Sequence, residues 1–245
     1  MTSGPSREDG RDTYQGMSWS ERAALGPIRA GLDPADSAGR KNRYIDGLHR
    51  LALRRGLRLA ERLRPGRSVR AVDYGCGGGR LFDALLPWTE ELWGLDRNPD
   101  MLALARSQRI VPPEQLVASD DIARIGKVDL FVTVYVAMTT TILDDIARDL
   151  ERLAAPSCVA VLIEQVDASR GLTIERYRTA FAGAGFVPRV TRPIRPGTRS
   201  PFGRIARLVG ISPALRALAM AELLLAPLLA RRSTYVDHLM VLRRR

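Results

Sequence analysis

A run of glycines directly after an apolar segment most constrains what this chain can fold into. Residues 69–74 are largely apolar and end in Asp73 and Tyr74, and Gly75, Gly77 and Gly79 follow at alternate positions. A short apolar run of this kind predicts a buried strand. The glycines allow a tight turn and a close approach of a ligand to the backbone. The sequence therefore predicts a strand–turn–helix unit with a ligand at its turn.

The spacing of these glycines limits the class of ligand that the turn can bind. Dinucleotide-binding turns follow the pattern G-x-G-x-x-G, but the position of the third glycine is occupied here by Arg80. The pattern in this chain is G-x-G-x-G, which argues against an NAD(P) oxidoreductase. A purely structural glycine turn is the alternative interpretation.

Alternating strand and helix patterns predict the fold class. A helical pattern at Arg43–Leu63 is followed by seven strand patterns: Val69–Tyr74, Glu91–Asp96, Gln115–Ala118, Asp129–Tyr135, Cys158–Glu164, Phe186–Ile194 and His238–Leu242. Helical patterns between them predict a doubly wound α/β sheet with ligands at the carboxyl ends of its strands. We expect a flexible N-terminal arm at 1–40, one domain at 41–245, and a basic helical insertion at 195–232 before the last strand.

Acidic residues follow the second and third predicted strands. Asp96 ends the second strand about 20 residues after the first glycine, where a carboxylate suits the two hydroxyls of a ribose, and Arg97 follows it. Met101 is either an apolar contact for an adenine ring or ordinary helix core. After the third strand, Asp120 or Asp121 is a candidate for the adenine amino group, with Ile122 against the ring. Helix capping is the other role for these two acids.

Together these motifs resemble those of class I S-adenosylmethionine (SAM)-dependent methyltransferases. The resemblance covers V-x-D-x-G-C-G-x-G, then G-x-D-x-x-P-x-M-L-x-x-A, then an acidic pair, and is most specific between residues 69 and 135. It implies a Rossmann-like sheet of seven strands in the order 3-2-1-4-5-7-6, with the seventh antiparallel, and SAM as the cofactor. It assigns the turn to the methionine end of SAM, Asp96 to the ribose and the acidic pair to adenine. The residues implied at the methionine end are Asp73, Gly75, Cys76, Gly77 and Gly79.

Three residues are candidates for the methyl-transfer step. Tyr135 ends the fourth strand, where the resemblance places the transfer site. Its surroundings, Val134–Ala137, lack the N/D-P-P-Y/F motif of enzymes that methylate amino groups of nucleic acids. If the acceptor is a hydroxyl, Glu164 and His49 are candidate general bases. His49 is equally compatible with helix packing. No metal site is predicted.

The charge of the chain is concentrated near its C-terminus. The net charge is +11, and residues 186–245 hold twelve arginines against the two acids Glu222 and Asp237. A segment like this favours an anionic partner, although an arginine-rich composition is also typical of GC-rich genomes. The basic, aliphatic stretch 204–232 is compatible with peripheral contact to a membrane. A lid packed on the core, or a homodimer surface, is the alternative interpretation.

The sequence as a whole predicts a methyltransferase that acts on a hydroxyl of a small-molecule or glycan- or lipid-linked acceptor. An RNA methyltransferase is the second hypothesis, disfavoured because the insertion lacks interleaved aromatic residues. A SAM-binding protein without catalysis is the third. Two cysteines without a disulfide pattern, and an N-terminus without an apolar core, predict a cytoplasmic protein, with the inner face of the membrane as an alternative location.

Overall fold

The seven strands of one mixed sheet organise the computed structural model, which describes residues 13–14, 16–63, 69–197, 200–208, 212–233 and 235–245. In chain order they are β1 (Arg70–Tyr74), β2 (Glu91–Asp96), β3 (Leu116–Ala118), β4 (Val128–Val134), β5 (Ala154–Asp167), β6 (Phe186–Arg195) and β7 (Tyr235–Arg244). The strand order is β3-β2-β1-β4-β5-β7-β6. Strand β7 is antiparallel to both β5 and β6, and the other pairs are parallel. The predicted order and the antiparallel last strand are confirmed.

Nine α-helices are present in the described part of the chain. They are α1 (Trp19–Ala23), α2 (Pro27–Gly31), α3 (Arg40–Leu63), α4 (Phe82–Leu85), α5 (Pro99–Ser107), α6 (Thr140–Leu153), α7 (Ile174–Gly183), α8 (Pro201–Leu208) and α9 (Ser212–Leu229). A two-stranded hairpin, Thr13–Tyr14 with Met17–Ser18, precedes them. Among the described helices, none combines the length and apolarity needed to cross a membrane.

The sheet is covered on both faces, and each face has its own apolar core. On one face, Leu53 and Leu57 of α3 pack with Val161 of β5, and α8 and α9 join the same cluster. On the other face, Leu143 and Ile146 of α6 belong to a second cluster together with α7. This three-layer arrangement leaves the carboxyl ends of the parallel strands as the edge where ligands bind in such folds.

Part of the predicted N-terminal arm is packed against this edge. Residues 1–12 and 15 lie outside the described residues. Beyond them, Ser18 and Glu21 form a capping box that starts α1. Arg22 is fully buried and donates hydrogen bonds to the carbonyls of Ala30 and Leu32. Buried donors with backbone partners hold α1 and α2 in place, so this segment is an ordered cover, which composition alone did not predict.

Two element lengths differ from the sequence prediction. The helix expected from Arg80 to Leu86 is only the short α4, because the glycine turn extends to Arg80 and Pro87 follows. Strand β5 is longer than the predicted Cys158–Glu164, because it pairs with β7 as far as Asp167. The predicted insertion at 195–232 contains α8 and α9, which pack on α3.

Candidate active site

A cavity of about 470 Å³, the first cavity, lies at the carboxyl ends of β1–β4. The glycine turn, the end of β2 and the start of α6 form its walls. Seven of the residues predicted to bind a cofactor line it, and they are Gly75, Cys76, Gly77, Asp96, Arg97, Met101 and Asp120. Tyr135, predicted at the transfer site, lines it as well. The structure thus brings residues from four separate segments of the chain to one concave surface.

The glycine turn presents bare backbone to the first cavity. Gly77 has a φ of +53°, and the only atom within 4 Å of a Cβ added there would be the Met101 sulfur, at 4.0 Å. A side chain at this position would therefore occupy cavity space. At Gly75, with a φ of +71°, an added Cβ would lie 2.4 Å from a methyl of Val136. The turn thus needs glycine at Gly75 for packing and at Gly77 to leave room for a ligand.

Asp96 connects the turn to the end of β2. One carboxylate oxygen accepts a hydrogen bond from the Gly77 N–H at 2.8 Å, and the other accepts one from the Asn98 N–H at 2.9 Å. Burial raises the pKa of Asp96, and these backbone donors oppose that shift. Each carboxylate oxygen has a second lone pair. Asp96 can therefore accept further hydrogen bonding from hydroxyls in the cavity.

Asp73 lies beneath the turn, and its side chain is almost fully buried. It is not among the residues that line the first cavity. Within the described residues, its carboxylate receives no hydrogen bond. Burial raises the pKa of Asp73 to about 7, Arg80 lowers it, and Asp96 raises it further. A buried carboxylate without a donor is costly, and an ammonium group at the turn would relieve that cost.

The remaining predicted residues are not part of the cavity wall. Asp121 is exposed and forms an ion pair with Arg124 at 3.8 Å. Ile122 is buried in the core beneath the third strand, and Gly79 packs against the ring of Phe82. Of the acidic pair, Asp120 alone lines the cavity.

Several residues that line the first cavity were not predicted as site residues. Pro27 and Gly31 contribute to the wall from α2, and Arg80 contributes from the end of the turn. The guanidinium of Arg80 forms an ion pair with Asp46 at 3.0 Å. The capping box at Ser18 and the proline at the start of α2 were the sequence signals for an ordered cover. They locate helix starts but do not show which ligand the helices approach.

A second cavity, of about 290 Å³, adjoins the first. Its apolar wall includes Leu32, Tyr44, Ile45 and Met138, and its polar wall includes Lys41, Glu164, Arg195 and Arg204. Gly31, Tyr135 and Met138 line both cavities. Ser200, Gly203 and Arg204 belong to the insertion, so α8 forms part of the rim of this second cavity.

Tyr135 is held in the wall between the cavities by a buried ion pair. It has a φ of +64° at the end of β4. Its hydroxyl donates to Asp237 and accepts a hydrogen bond from Arg195 at 2.7 Å, while Arg195 also pairs with Asp237. Burial raises the pKa of Tyr135 well above its usual value. The phenol therefore stays neutral and acts as a fixed hydrogen-bonding wall.

His49 lies behind Tyr135 and lines neither cavity. Its ring contacts the Tyr135 ring edge-on, with 4.5 Å between centroids. Arg80 lies 3.2 Å from its Nδ1, and a guanidinium can only donate, so the proton of the neutral ring is on Nε2. Burial and the charges of Arg80 and Arg195 hold the pKa of His49 well below its usual value. His49 is placed to position Tyr135, and its direct contact with an acceptor stays a prediction.

Glu164 lines the second cavity from the end of β5. Its carboxylate accepts hydrogen bonds from the Thr133 hydroxyl at 2.8 Å and from the N–H groups of Val136 and Ala137. Burial raises the pKa of Glu164 to about 7, although these donors lower it. A carboxylate with a pKa near neutrality has the proton affinity that a general base requires.

Glu222 is a buried acid of α9 close to this group of residues. Its side chain is fully buried, and neither carboxylate oxygen has a hydrogen-bond partner in the described structure. Burial, together with the nearby Asp237, raises the pKa of Glu222 to about 8. Because its ordinary pKa is 4.5, the folded chain holds a proton here that the unfolded chain releases between these two pH values. Stability should therefore fall as the pH rises from about 4.5 to 8.

Replacing Glu222 with glutamine is expected to stabilise the protein at pH values above its ordinary pKa. The gain should grow with pH to on the order of 3 kcal/mol near neutrality, because one pKa unit corresponds to about 1.36 kcal/mol. Urea unfolding at several pH values measures the difference between variant and parent. Glu151→Gln on the exposed surface of α6 is the control and should follow the parent. Equal pH slopes for E222Q and the parent would contradict the prediction.

Comparisons with known proteins agree with this geometry. A family model described as a methyltransferase domain matches residues 72–162, which span β1 to β5. No curated protein sequence matches the chain. A solved geranyl diphosphate C-methyltransferase from Streptomyces coelicolor A3(2) is similar in fold, with a TM-score of 0.55, 19% identity, and 90% of each chain covered. That protein was crystallised with Mg²⁺, geranyl diphosphate and S-adenosyl-L-homocysteine.

A second solved structure is similar over a smaller share of the chain. The cyclopropane synthase MmaA2 from Mycobacterium tuberculosis has a TM-score of 0.51 and 13% identity, with 77% of this chain and 82% of that one covered. Both likenesses concern the fold. The family model covers the glycine turn, Asp96 and Tyr135, which meet at the first cavity in this structure. Residues 72–162 therefore match a methyltransferase domain, and the chain has the Rossmann-like fold of class I methyltransferases, with the strand order and antiparallel last strand of that sheet.

Proposed function

We propose that this chain binds SAM in the first cavity and transfers its methyl group to a hydroxyl of a small-molecule acceptor in the second. The observation that carries the proposal is the shared wall. Gly31, Tyr135 and Met138 line both cavities, so a donor in one and an acceptor in the other meet at Tyr135. Holding two reactants in contact in this way supplies roughly 7–11 kcal/mol of a transfer barrier.

The first cavity fits SAM at both ends of the molecule. Gly77 leaves open space beside the backbone, and Asp96 has lone pairs for the ribose hydroxyls. Asp73 lies beneath the turn, outside the cavity wall, where its carboxylate would attract the ammonium of the methionine part. Asp120 and Met101 line the other end of the cavity, where the adenine would lie. SAM, when bound, supplies a methyl group already activated by its sulfonium.

The second cavity supports a small acceptor with polar groups. Its volume of about 290 Å³ is near the lower end of the range for small-molecule sites. Arg204 adds positive charge, and Lys41 is paired with Asp33 in the same wall. Leu32, Ile45 and Met138 add apolar surface. We infer an acceptor with an apolar body and a polar or anionic substituent. Glycan- and lipid-linked molecules meet this description.

Glu164 is the general base of the proposed reaction. Transfer forms the O–CH₃ bond of the product and breaks the sulfonium C–S bond, and the hydroxyl proton passes to the Glu164 carboxylate. The three hydrogen-bond donors around Glu164 fix the direction of its carboxylate, and Tyr135 closes the wall beside it. Base catalysis of this kind contributes roughly 10²–10⁴-fold to a rate.

Calorimetric titration with SAM, S-adenosylhomocysteine and NAD tests the donor assignment. We expect binding of the first two and none of NAD. Transfer from SAM labelled with carbon-13 at the methyl group then tests the acceptor, since the methyl chemical shift separates O-, N- and C-methyl products. A C-methyl product would overturn the hydroxyl proposal. Binding without transfer to any fraction of a cell extract would favour the non-catalytic hypothesis, and labelled RNA would favour the RNA methyltransferase.

Replacing Glu164 with glutamine should reduce kcat by about 10²–10⁴-fold while leaving SAM affinity nearly unchanged. At saturating SAM, the rate of the parent should rise with pH through about 7, the pKa of Glu164, because the ionised form is the base. The E164Q variant should lose this rise.

Thr133→Val provides the matched control for the Glu164 prediction. It removes a hydrogen bond that lowers the pKa of Glu164 but keeps the carboxylate. The rise in rate should therefore move to higher pH and not disappear. An unchanged pH profile in both variants would show that Glu164 only supports the loop after β4.

A further inference from the structure

The insertion exposes large apolar side chains on both of its helices. On α9, Met220, Leu224 and Leu228 follow one another at intervals of four residues, and Leu224 and Leu228 are 62% and 65% exposed. On α8, Leu208 is 82% exposed and Ile205 43%. Side chains four apart in a helix lie on the same side. We call these five residues the insertion face.

The opposite side of α9 explains why the insertion face is free. Leu215, Ala219, Leu223 and Ala226 are buried there, and α9 packs on α3 and β6 through that side. The apolar residues on the insertion face are therefore not needed for packing within the chain. Only one large exposed hydrophobic residue lies outside the insertion in the described structure, Leu86. Clusters of this kind mark interaction surfaces.

The charges of the insertion itself are almost all positive. Residues 201–232 contain five arginines and a single acid, Glu222, which is buried and has a raised pKa. Arg204, Arg216 and Arg231 are exposed. Apolar side chains surrounded by arginines match the boundary of an anionic bilayer, where the leucines enter the acyl region and the arginines meet the headgroups.

A second copy of the chain fits the insertion face less well. In a two-fold dimer the same patch meets itself, so the arginines of the two copies would come together without acids between them. An anionic bilayer supplies the opposite charge to every arginine at once. Arg204 also lines the second cavity, so a surface that covers the insertion face lies close to that cavity.

We propose that the insertion face docks on the surface of an anionic lipid bilayer. With the proposed function, on which this extension rests, the acceptor is then an amphiphile that enters the second cavity directly from the bilayer. Docking itself needs neither SAM nor an acceptor, so it can be tested separately from the methyl transfer.

Flotation with vesicles tests the docking proposal. We expect the chain to bind vesicles made of equal parts phosphatidylcholine and phosphatidylglycerol, to bind phosphatidylcholine alone much less, and to lose binding at high salt. The double variant Leu224→Ser/Leu228→Ser should bind the mixed vesicles at least about tenfold more weakly than the parent, because it removes two inserted side chains. Arg216→Glu/Arg231→Glu should reduce binding by a similar factor.

Two control variants carry the same chemical changes elsewhere. Leu86→Ser removes the exposed leucine outside the insertion, and Arg152→Glu reverses a charge at the end of α6. Both should bind vesicles like the parent, and all variants should keep their SAM affinity, which shows that they are folded. Equal vesicle binding by the leucine double variant and the parent would overturn the proposal. The proposal would also be overturned if the parent did not bind vesicles and instead formed a dimer that the leucine double variant dissociates.

Discussion

Replacing Asp96 with alanine is expected to weaken SAM binding by about a hundredfold or more. The Asp96 carboxylate lines the first cavity and also accepts the Gly77 N–H of the turn. Each charge-assisted hydrogen bond contributes about 1.5–3 kcal/mol. Loss of two such bonds to the ribose, about 3–6 kcal/mol, corresponds to about two to four factors of ten in affinity. Calorimetric titration with SAM and S-adenosylhomocysteine measures the loss.

Two further variants separate the ligand contact from the local structure at Asp96. Asp96→Asn keeps one oxygen that can accept the Gly77 N–H at the turn but has no charge, so its affinity should lie between those of the alanine variant and the parent. Asp100→Ala removes an exposed acid four residues away that does not line the cavity, and its affinity should equal that of the parent. Full affinity in Asp96→Ala would show that the first cavity is not the donor site.

The fold was predictable because its signals are local in the chain. The apolar run before Gly75 predicts a strand and the turn that follows it, and so does the segment that ends at Asp96. The alternation of strands and helices predicts a doubly wound α/β sheet. The order of the strands came from the resemblance to a known superfamily. The cavity at the carboxyl ends of the strands then follows from parallel pairing, because it brings Gly77, Asp96 and Tyr135 to one edge.

The second cavity was not predictable in the same way. Tyr135, Arg195 and Asp237 are far apart in the chain and meet through the pairing of β6 with β7 and of β5 with β7. No spacing in the sequence records such a contact. His49 is a second case in which the sequence does not show the surroundings of a side chain. A histidine is a common general base, but burial next to Arg80 keeps this ring neutral and places it behind Tyr135.

The buried ion pair at this wall gives the second large prediction. Arg195→Met is expected to destabilise the fold by about 3–5 kcal/mol, because removing one partner leaves a buried charge without compensation. Asp237 is fully buried, and one of its oxygens already has no partner. Urea unfolding measures the effect. Arg178→Met, which removes an exposed ion pair with Glu175, is the control and should cost about 1 kcal/mol at most.

The double variant Arg195→Met/Asp237→Asn distinguishes the structural role of Arg195 from its role in the second cavity. Because it removes both charges, most of the lost stability should return, and the two changes should be strongly non-additive. If the refolded double variant binds SAM but no longer transfers the methyl group, the Arg195–Asp237 pair also contributes to the acceptor site. A single Arg195→Met variant as stable as Arg178→Met would show that the ion pair does not hold Tyr135 in the wall, and the proposed meeting point of the two cavities would lose its support.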